Sequence, residues 1–359
     1  MKESDNKKRT HPLLSNLLAL LFGLFLCLLI FLFADIVLGI LKNRQAREVI
    51  RDKDFYKVGM VQDDDLGYRI LPNMRVPVTK TEDGEHIYSV LYTTDEAGRR
   101  VVPDSAKAGE TDRFLAFFGC SFTFGEGVSD KETLPNQVAG RLPGYRVYNY
   151  GAPGYGPQQM LAMAESGYVR DSIPEQKGIV VYTIFFGHLN RASGRMNSAL
   201  MHGRHFPYYR VDKDTLVRAG NFDTARPGLH RLMSLINRSG IVRYFNLNFP
   251  PLRKKDYELT ARIILEAQHL FSKQFEEIDF YVLMYPAIPQ LNHSLEPVFE
   301  YFKGQDITVL DYHKLPYSRH ARATIKYIHS NRCYCSFECA MSVNVLYSPH
   351  LWPRILKHL

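Results

Sequence analysis

Two glycine-rich loops carry the residue types best suited to chemistry. Gly119-Cys120-Ser121-Phe122-Thr123-Phe124-Gly125-Glu126-Gly127 follows the apolar run 114–118 (FLAFF), and Asn149-Tyr150-Gly151-Ala152-Pro153-Gly154-Tyr155-Gly156 follows the run 146–150 (RVYNY). A serine on a tight, glycine-flanked turn leaving a buried strand presents its hydroxyl and its own N–H to the same space. That pairing is what acyl transfer needs, a nucleophile beside a donor for the developing oxyanion. Glycines in the second loop let the backbone approach a substrate and leave an N–H to offer. Taken alone, the first loop is equally an ordinary strand-to-loop turn with an incidental serine, and the second loop weighs toward chemistry.

Chemistry of this kind needs a rigid frame, and the chain from residue 113 onward spells one out as strand, loop and helix in repetition. The runs 114–118, 146–150, 179–186 (IVVYTIFF), 280–285 (FYVLMY) and 307–310 (ITVL) predict five strands. Between them 133–142 and 258–275 predict helices, the first with Leu134, Val138 and Leu142 on one face, Thr133 as N-cap and Pro135 in the first turn, the second with Leu259, Ile263, Ala267, Leu270 and Phe271 on one face. Strands alternating with helices predict an α/β fold with a mostly parallel sheet covered on both faces and a ligand at the carboxyl ends of its strands. The polar and aromatic stretch 191–251 is an insertion, expected to be a cap or a substrate wall. Residues 55–112, rich in turn signals such as Pro72-Asn73, Asp83-Gly84 and Gly98, predict a small β-rich lead-in of hairpins.

At these two loops the sequence resembles the SGNH/GDSL hydrolases, a family of serine esterases and acyltransferases. The first block of that family, in the variant with Cys in place of Asp, is matched by Gly119 to Gly125, and the second by Asn149-x-Gly151-x-x-Gly154. The resemblance runs over about 200 residues, 114–310. Gly67-Tyr68-Arg69 and Gly98-Arg99-Arg100 also resemble the lead-in of anchored members with exported catalytic domains. It implies a flavodoxin-like three-layer α/β/α sandwich with a five-stranded sheet. It also implies Ser121 as nucleophile, and an oxyanion hole built from the Ser121 and Gly154 N–H groups. The family's third block is Gly-x-Asn-Asp, whereas here Gly187-His188-Leu189-Asn190-Arg191 sets His188 one place early and Asn190 one place late. Both stay open as the third oxyanion donor, with His188 favoured because it stands just past the strand end. Cys120 reads as a small buried residue.

The family's Asp-x-x-His block near the C-terminus is missing: neither Asp306 nor Asp311 has a His three residues on. His313, His320, His329 and His350 are the candidates for general base, and His329 lies in Tyr327-Ile328-His329-Ser330-Asn331-Arg332-Cys333, where the family often has His-Pro-x-Asp-Arg-His. His329 is therefore the expected base, since a serine without one keeps its proton. Cys333, Cys335 and Cys339 crowd the same tail, and Pro349 and Pro353 break the terminal helix expected there. A shifted reading frame or a degenerate C-terminus would leave this pattern. No pair of separated Cys/His pairs supports zinc, so no metal and no cofactor is expected.

The chain has 359 residues, 45% of them hydrophobic, with 45 Lys+Arg against 37 Asp+Glu. That composition is globular and excludes both a disulfide mini-protein and a disordered chain. The net charge of +8 is spread without an Arg/Lys stripe, a zinc-finger spacing or an RNP-type motif, so nucleic acid is not an expected partner. Residues 12–34 run 23 positions without a charge. As a helix they span roughly 34 Å, enough for the hydrocarbon core of about 30 Å. The length exceeds a signal-peptide core and no small-x-small cleavage site follows, so an uncleaved single-pass anchor is expected.

Positive charges flank the span almost equally, four before and five after, so the periplasmic or extracellular placement of the body, outside an inner (cytoplasmic) membrane, comes from the resemblance. The expected organisation is a cytoplasmic N-terminus (1–11), an anchor (12–41), a helical stalk (42–54), the lead-in (55–112), the α/β domain (113–315) and an atypical tail (316–359). The expected partners are the lipid bilayer and an acylated carbohydrate or lipid substrate. The resemblance implies ester hydrolysis of acyl groups, acetyl among them. O-acyl transfer to an exopolysaccharide is one alternative, and a catalytically inactive protein that keeps the SGNH fold and serves in binding or assembly is the other, because the Asp-x-x-His block is missing.

Overall fold

The computed structural model of the chain describes residues 12–45, 49–52, 55–201, 203–285 and 294–312. Helix α1 (Pro12–Arg44) precedes strands β1 (Val49–Asp52), β2 (Met60–Asp63), β3 (Gly67–Ile70), β4 (Arg75–Glu82), β5 (Glu85–Thr93) and β6 (Arg113–Phe118). Helices α2 (Ser121–Phe124) and α3 (Leu134–Ala139), strand β7 (Arg146–Asn149), helix α4 (Pro157–Glu165), strand β8 (Lys177–Ile184) and helix α5 (Gly187–Ser193) follow. Then come strands β9 (Pro207–Asp212) and β10 (Thr215–Asn221), helices α6 (Pro227–Ile236), α7 (Gly240–Tyr244) and α8 (Lys254–Gln274), and strands β11 (Glu277–Met284) and β12 (Thr308–Asp311). The chain divides into two units, α1 with Leu232–Asn248 and the remainder.

In the larger unit five parallel strands stand in the order β12-β11-β8-β6-β7. Both faces are covered, and the sequence shows why. Phe114, Ala116 and Phe118 of β6 belong to one buried cluster with Ile263, Ala267 and Phe271 of α8, while Leu115 and Phe117 belong to another with Leu134 and Val138 of α3. Alternate side chains of one apolar strand thus fill two cores, the pattern of a buried parallel sheet. The order reverses between β6 and β8: the chain winds outward one way through β7 and the other way through β11 and β12. A doubly wound sheet opens a crevice at such a reversal, at the carboxyl ends of its strands.

The expected α/β/α sandwich is therefore present, with shifts at element ends that have local causes. Helix α8 begins at Lys254 rather than 258, because Asp256 Oδ2 accepts the Arg253 N–H at 2.7 Å and caps the added turn. Thr133 caps α3 as expected, its hydroxyl accepting the Asn136 N–H at 3.3 Å with Pro135 inside the first turn.

The lead-in is β-rich: β4 and β5 pair antiparallel around Asp83 and Gly84, whose φ angles of 49° and 81° make a tight two-residue turn, and β2 pairs with β3. The helical stalk expected over 42–54 is not continuous. Helix α1 stops at Arg44, and Val49–Asp52 pairs with the free edge of β4 in the register Val49 to Glu82. The β-branched pair Val49-Ile50 suits that edge better than a helix.

In the smaller unit α1 is long and apolar enough to cross a membrane or to serve as a signal sequence, and its Leu and Phe side chains stand exposed along Leu14 to Phe33. Near its end Asp35 accepts hydrogen bonds from Ser239 Oγ at 2.5 Å and from the Ile241 N–H at 2.9 Å. Gly240 lies directly on α1, since a Cβ there would collide with the Asp35 carbonyl and come within 2.6 Å of the Gly39 nitrogen. Part of the 191–251 insertion is thus packed on the apolar helix.

Candidate active site

Ser121 opens α2 immediately beyond β6, the strand beside the reversal in sheet order. Cys120 occupies the N-cap position in extended conformation, and the Ser121 carbonyl accepts the N–H groups of both Gly125 and Glu126. Gly125, at φ 83°, ends this single turn in a conformation that favours glycine. The bend before the turn also requires glycine, because a Cβ at Gly119 would collide with the hydroxyls of Thr123 and Thr183. Those two hydroxyls hydrogen-bond each other, and Thr183 Oγ1 also donates to the Phe118 carbonyl at 3.2 Å. The ends of β6 and β8 are locked together beneath the serine. Ser121, Cys120 and Thr123 are fully buried.

The second loop is bonded to the first. Asn149 Nδ2 donates to the Thr123 carbonyl at 2.9 Å while its Oδ1 accepts the Gly151 N–H at 3.0 Å, and the Ala152 N–H donates to the Gly119 carbonyl at 3.2 Å. Gly151 touches the backbone of α2: a Cβ there would come within 2.5 Å of the Phe124 nitrogen. Gly154 has φ 85°, inside a turn closed by the Tyr155 N–H to the Ala152 carbonyl at 3.1 Å. The Tyr68 hydroxyl donates to the Pro153 carbonyl, and the Tyr155 hydroxyl donates to the Tyr68 carbonyl. In a trans peptide the C=O and the N–H point oppositely, so holding the Pro153 oxygen fixes the direction of the Gly154 N–H.

No motif in the lead-in marks a task for it, yet two adjacent arginines from it brace the loops. Arg100 is fully buried. Its Nε pairs with Asp130 Oδ1 at 2.6 Å, and its guanidinium donates to the carbonyls of Val128 at 2.9 Å, Gly125 at 3.3 Å and Phe124 at 3.4 Å. It also lies 4.3 Å over the Tyr92 ring and 4.7 Å over Phe124. Arg99 turns the other way. It pairs with Asp95 at 2.7 Å, donates to the Tyr150 hydroxyl at 3.0 Å and packs on Tyr148 at 4.4 Å. One arginine holds the serine loop and the other holds the strand and loop that follow.

His188 stands in the first turn of α5, fully buried, with Nδ1 2.7 Å from the Tyr182 hydroxyl and its ring edge-on to Phe185 at 4.7 Å. Among the described residues its Nε2 has no hydrogen-bond partner. Burial, and then the Arg191 guanidinium, hold its pKa well below the usual 6.5, so the ring is neutral. Phe185 also packs edge-on against Phe122 at 5.2 Å, which links the His188 turn to α2. Asn190 faces elsewhere: its Oδ1 accepts from Arg195 Nη1 at 2.9 Å and its carbonyl accepts the Arg195 N–H at 3.0 Å.

The structure thus joins the Ser121 and Gly154 loops, sets His188 one ring away from Phe122, and commits Asn190 to Arg195. His329, with His313, His320 and His350, lies outside the described residues. A cavity of about 310 Å³ opens beside the second loop, lined among others by Arg69, Arg99, Gly151, Ala152 and Tyr155; Ser121 is not on its wall. Among the described residues no group of three His, Cys, Asp or Glu is placed to hold a metal.

No protein-family model matches the chain, and no curated protein does. Among solved structures it is similar to a member of the lipolytic G-D-S-L family from Veillonella parvula, at 12% identity over 55% of this chain and 77% of that one, TM-score 0.31. It is also similar to the SGNH-hydrolase family esterase AlinE4, at 14% identity over 62% and 94%, TM-score 0.32. A third is a catalytic mutant of the acetylxylan esterase Axe2 from Geobacillus stearothermophilus, at 13% identity over 70% and 95%, TM-score 0.31. A likeness at that level speaks to neither residue roles nor substrate.

Proposed function

We propose that the chain is a membrane-anchored serine ester hydrolase of SGNH/GDSL type, acting on acyl esters of an envelope carbohydrate or lipid, with its body periplasmic or extracellular. The observation that carries this reading is the fixed Pro153–Gly154 peptide, held by Tyr68 on a loop that Asn149 and Ala152 bond to the Ser121 turn. Preorganised N–H groups of this kind stabilise charge without reorganising during the reaction, worth about 10²–10³ in rate for one donor.

Ser121 Oγ attacks the ester carbonyl, and the Ser121 and Gly154 N–H groups receive the oxyanion. His188 is the better third donor, because its Nε2 has no partner among the described residues and its turn packs through Phe185 on Phe122, whereas the Asn190 side chain is held toward Arg195 by the Nη1–Oδ1 hydrogen bond. This role requires the tautomer in which the Tyr182 hydroxyl donates to Nδ1 and the ring proton sits on Nε2, one of the two that the 2.7 Å contact accommodates. His329 takes the serine proton and returns it to the leaving alcohol. Water then releases the acyl group, and a sugar hydroxyl in its place makes the same acyl-enzyme an O-acyltransferase.

Purified full-length protein in detergent should hydrolyse a chromogenic short-chain ester, and Ser121→Ala should remove that turnover; equal turnover by the variant excludes Ser121 as nucleophile. One observation favours a second reading, an SGNH-type fold that binds or assembles without catalysis: Ser121 is fully buried. Equal absence of turnover in wild type and variant supports that reading.

A further inference from the structure

We propose that Leu232–Asn248 is a second membrane element, a short helical hairpin lying in the headgroup layer of an anionic bilayer beside α1. The proposal rests on the reading of α1 as an anchor. Three independent observations converge on it.

The hairpin is attached where the apolar run of α1 ends. Ala34 is the last residue of the uncharged stretch, Asp35 accepts from Ser239 and Ile241, Gly240 sits against Gly39, and Arg243 Nη1 donates to Asn43 Oδ1 at 3.2 Å. At about 1.5 Å per residue the attached stretch from Asp35 to Asn43 is roughly 12 Å long, a length that begins at the hydrocarbon boundary and crosses the headgroups. Lys42, in the last turn of that stretch, and Arg44 just past it close α1.

The hairpin also exposes large apolar side chains. Leu235 is 63% exposed, Phe245 57%, Leu247 51% and Leu232 45%, all within 16 residues. A soluble surface scatters such residues singly, and four in so short a stretch exceed that.

Charge points to what would cover them. Residues 224–255 contain seven Lys and Arg and no Asp or Glu, and Arg238 and Arg243 lie within the hairpin itself. Leu and Phe set among arginines without acids is the composition of an interfacial helix, whose apolar side enters the acyl boundary while its cations meet anionic headgroups.

The test uses the full chain with Trp352→Phe, reconstituted in phosphatidylglycerol–phosphatidylcholine vesicles whose acyl chains carry bromine near the headgroup or near the bilayer centre. Single reporters are Leu235→Trp, Phe245→Trp and, as a check on the anchor, Phe22→Trp. Leu235→Trp and Phe245→Trp should lose about half their emission relative to unbrominated vesicles, more with shallow bromine than deep, and Phe22→Trp should be quenched more by deep bromine. Unquenched Leu235→Trp and Phe245→Trp beside a quenched Phe22→Trp overturns the hairpin proposal alone. An unquenched Phe22→Trp overturns the anchor reading beneath it. Emission from Leu235→Trp that shifts with protein concentration and ignores bromine assigns the surface to a second copy of the chain, which also overturns the proposal.

Discussion

Replacing Arg100 by Ala should destabilise the larger unit by about 4 kcal/mol, a sizeable share of the 5–15 kcal/mol that holds a typical protein folded. Removing one partner of a buried ion pair costs about 3–5 kcal/mol because the other charge is left uncompensated. Two features of the site move Arg100→Ala within that range. Asp130 is 15% exposed and still accepts from Thr93, which lowers the cost. The carbonyl of Val128 loses its 2.9 Å donor, and the guanidinium's contacts with Tyr92 and Phe124 disappear, which raises it. The reciprocal Asp130→Ala leaves a wholly buried guanidinium unpaired and should cost a similar amount. The double variant should then be less destabilised than the sum of the two by about 2 kcal/mol. Urea denaturation of the three variants, followed by tyrosine fluorescence, measures all these quantities. A loss below about 1 kcal/mol for Arg100→Ala, or strict additivity in the double variant, would refute the claim that this pair braces the serine loop.

Two further outcomes follow from the geometry. His188 is held neutral, with its native pKa below 6.5, so the unfolded chain binds a proton that the native state refuses once the pH falls through 6.5. Stability should therefore fall on acidification below that point by up to about 1.4 kcal/mol per pH unit, and His188→Gln should flatten this part of the profile of urea midpoints; an unchanged slope contradicts the assignment. Tyr68→Phe releases the Pro153 carbonyl and should lower kcat for ester turnover about tenfold with little change in KM; an unchanged kcat removes the Gly154 N–H from the oxyanion hole.

Much of the sheet was legible because its strands are buried on both faces, so that 114–118 appears as an unbroken apolar run and 179–186 as one interrupted only by Thr183, and both end where the glycines begin. The two loops were legible because Gly119 and Gly151 answer to local steric demands that no other residue meets. What escaped were pairings that no local pattern encodes. Arg100 meets Phe124 and Asp130 from 24 and 30 positions away, and Arg99 meets Tyr150 from 51. Asp35 finds Ser239 across 204 positions, so the insertion carried no hint in sequence that part of it packs on α1. The absence of acids over 224–255 was the one available signal, and it speaks to charge rather than to contact. The extended Val49–Asp52 escaped because its charged surroundings suit a helix as well, and only the open edge of β4 decides between them.

An activated Ser121 should react covalently with an electrophilic phosphonate whatever its natural substrate. Full-length protein treated with a fluorophosphonate probe and digested for mass spectrometry should carry one adduct, on Ser121, that is absent from Ser121→Ala. Wild type that stays unlabelled, or an adduct that persists in Ser121→Ala, would mean that Ser121 is not an activated nucleophile.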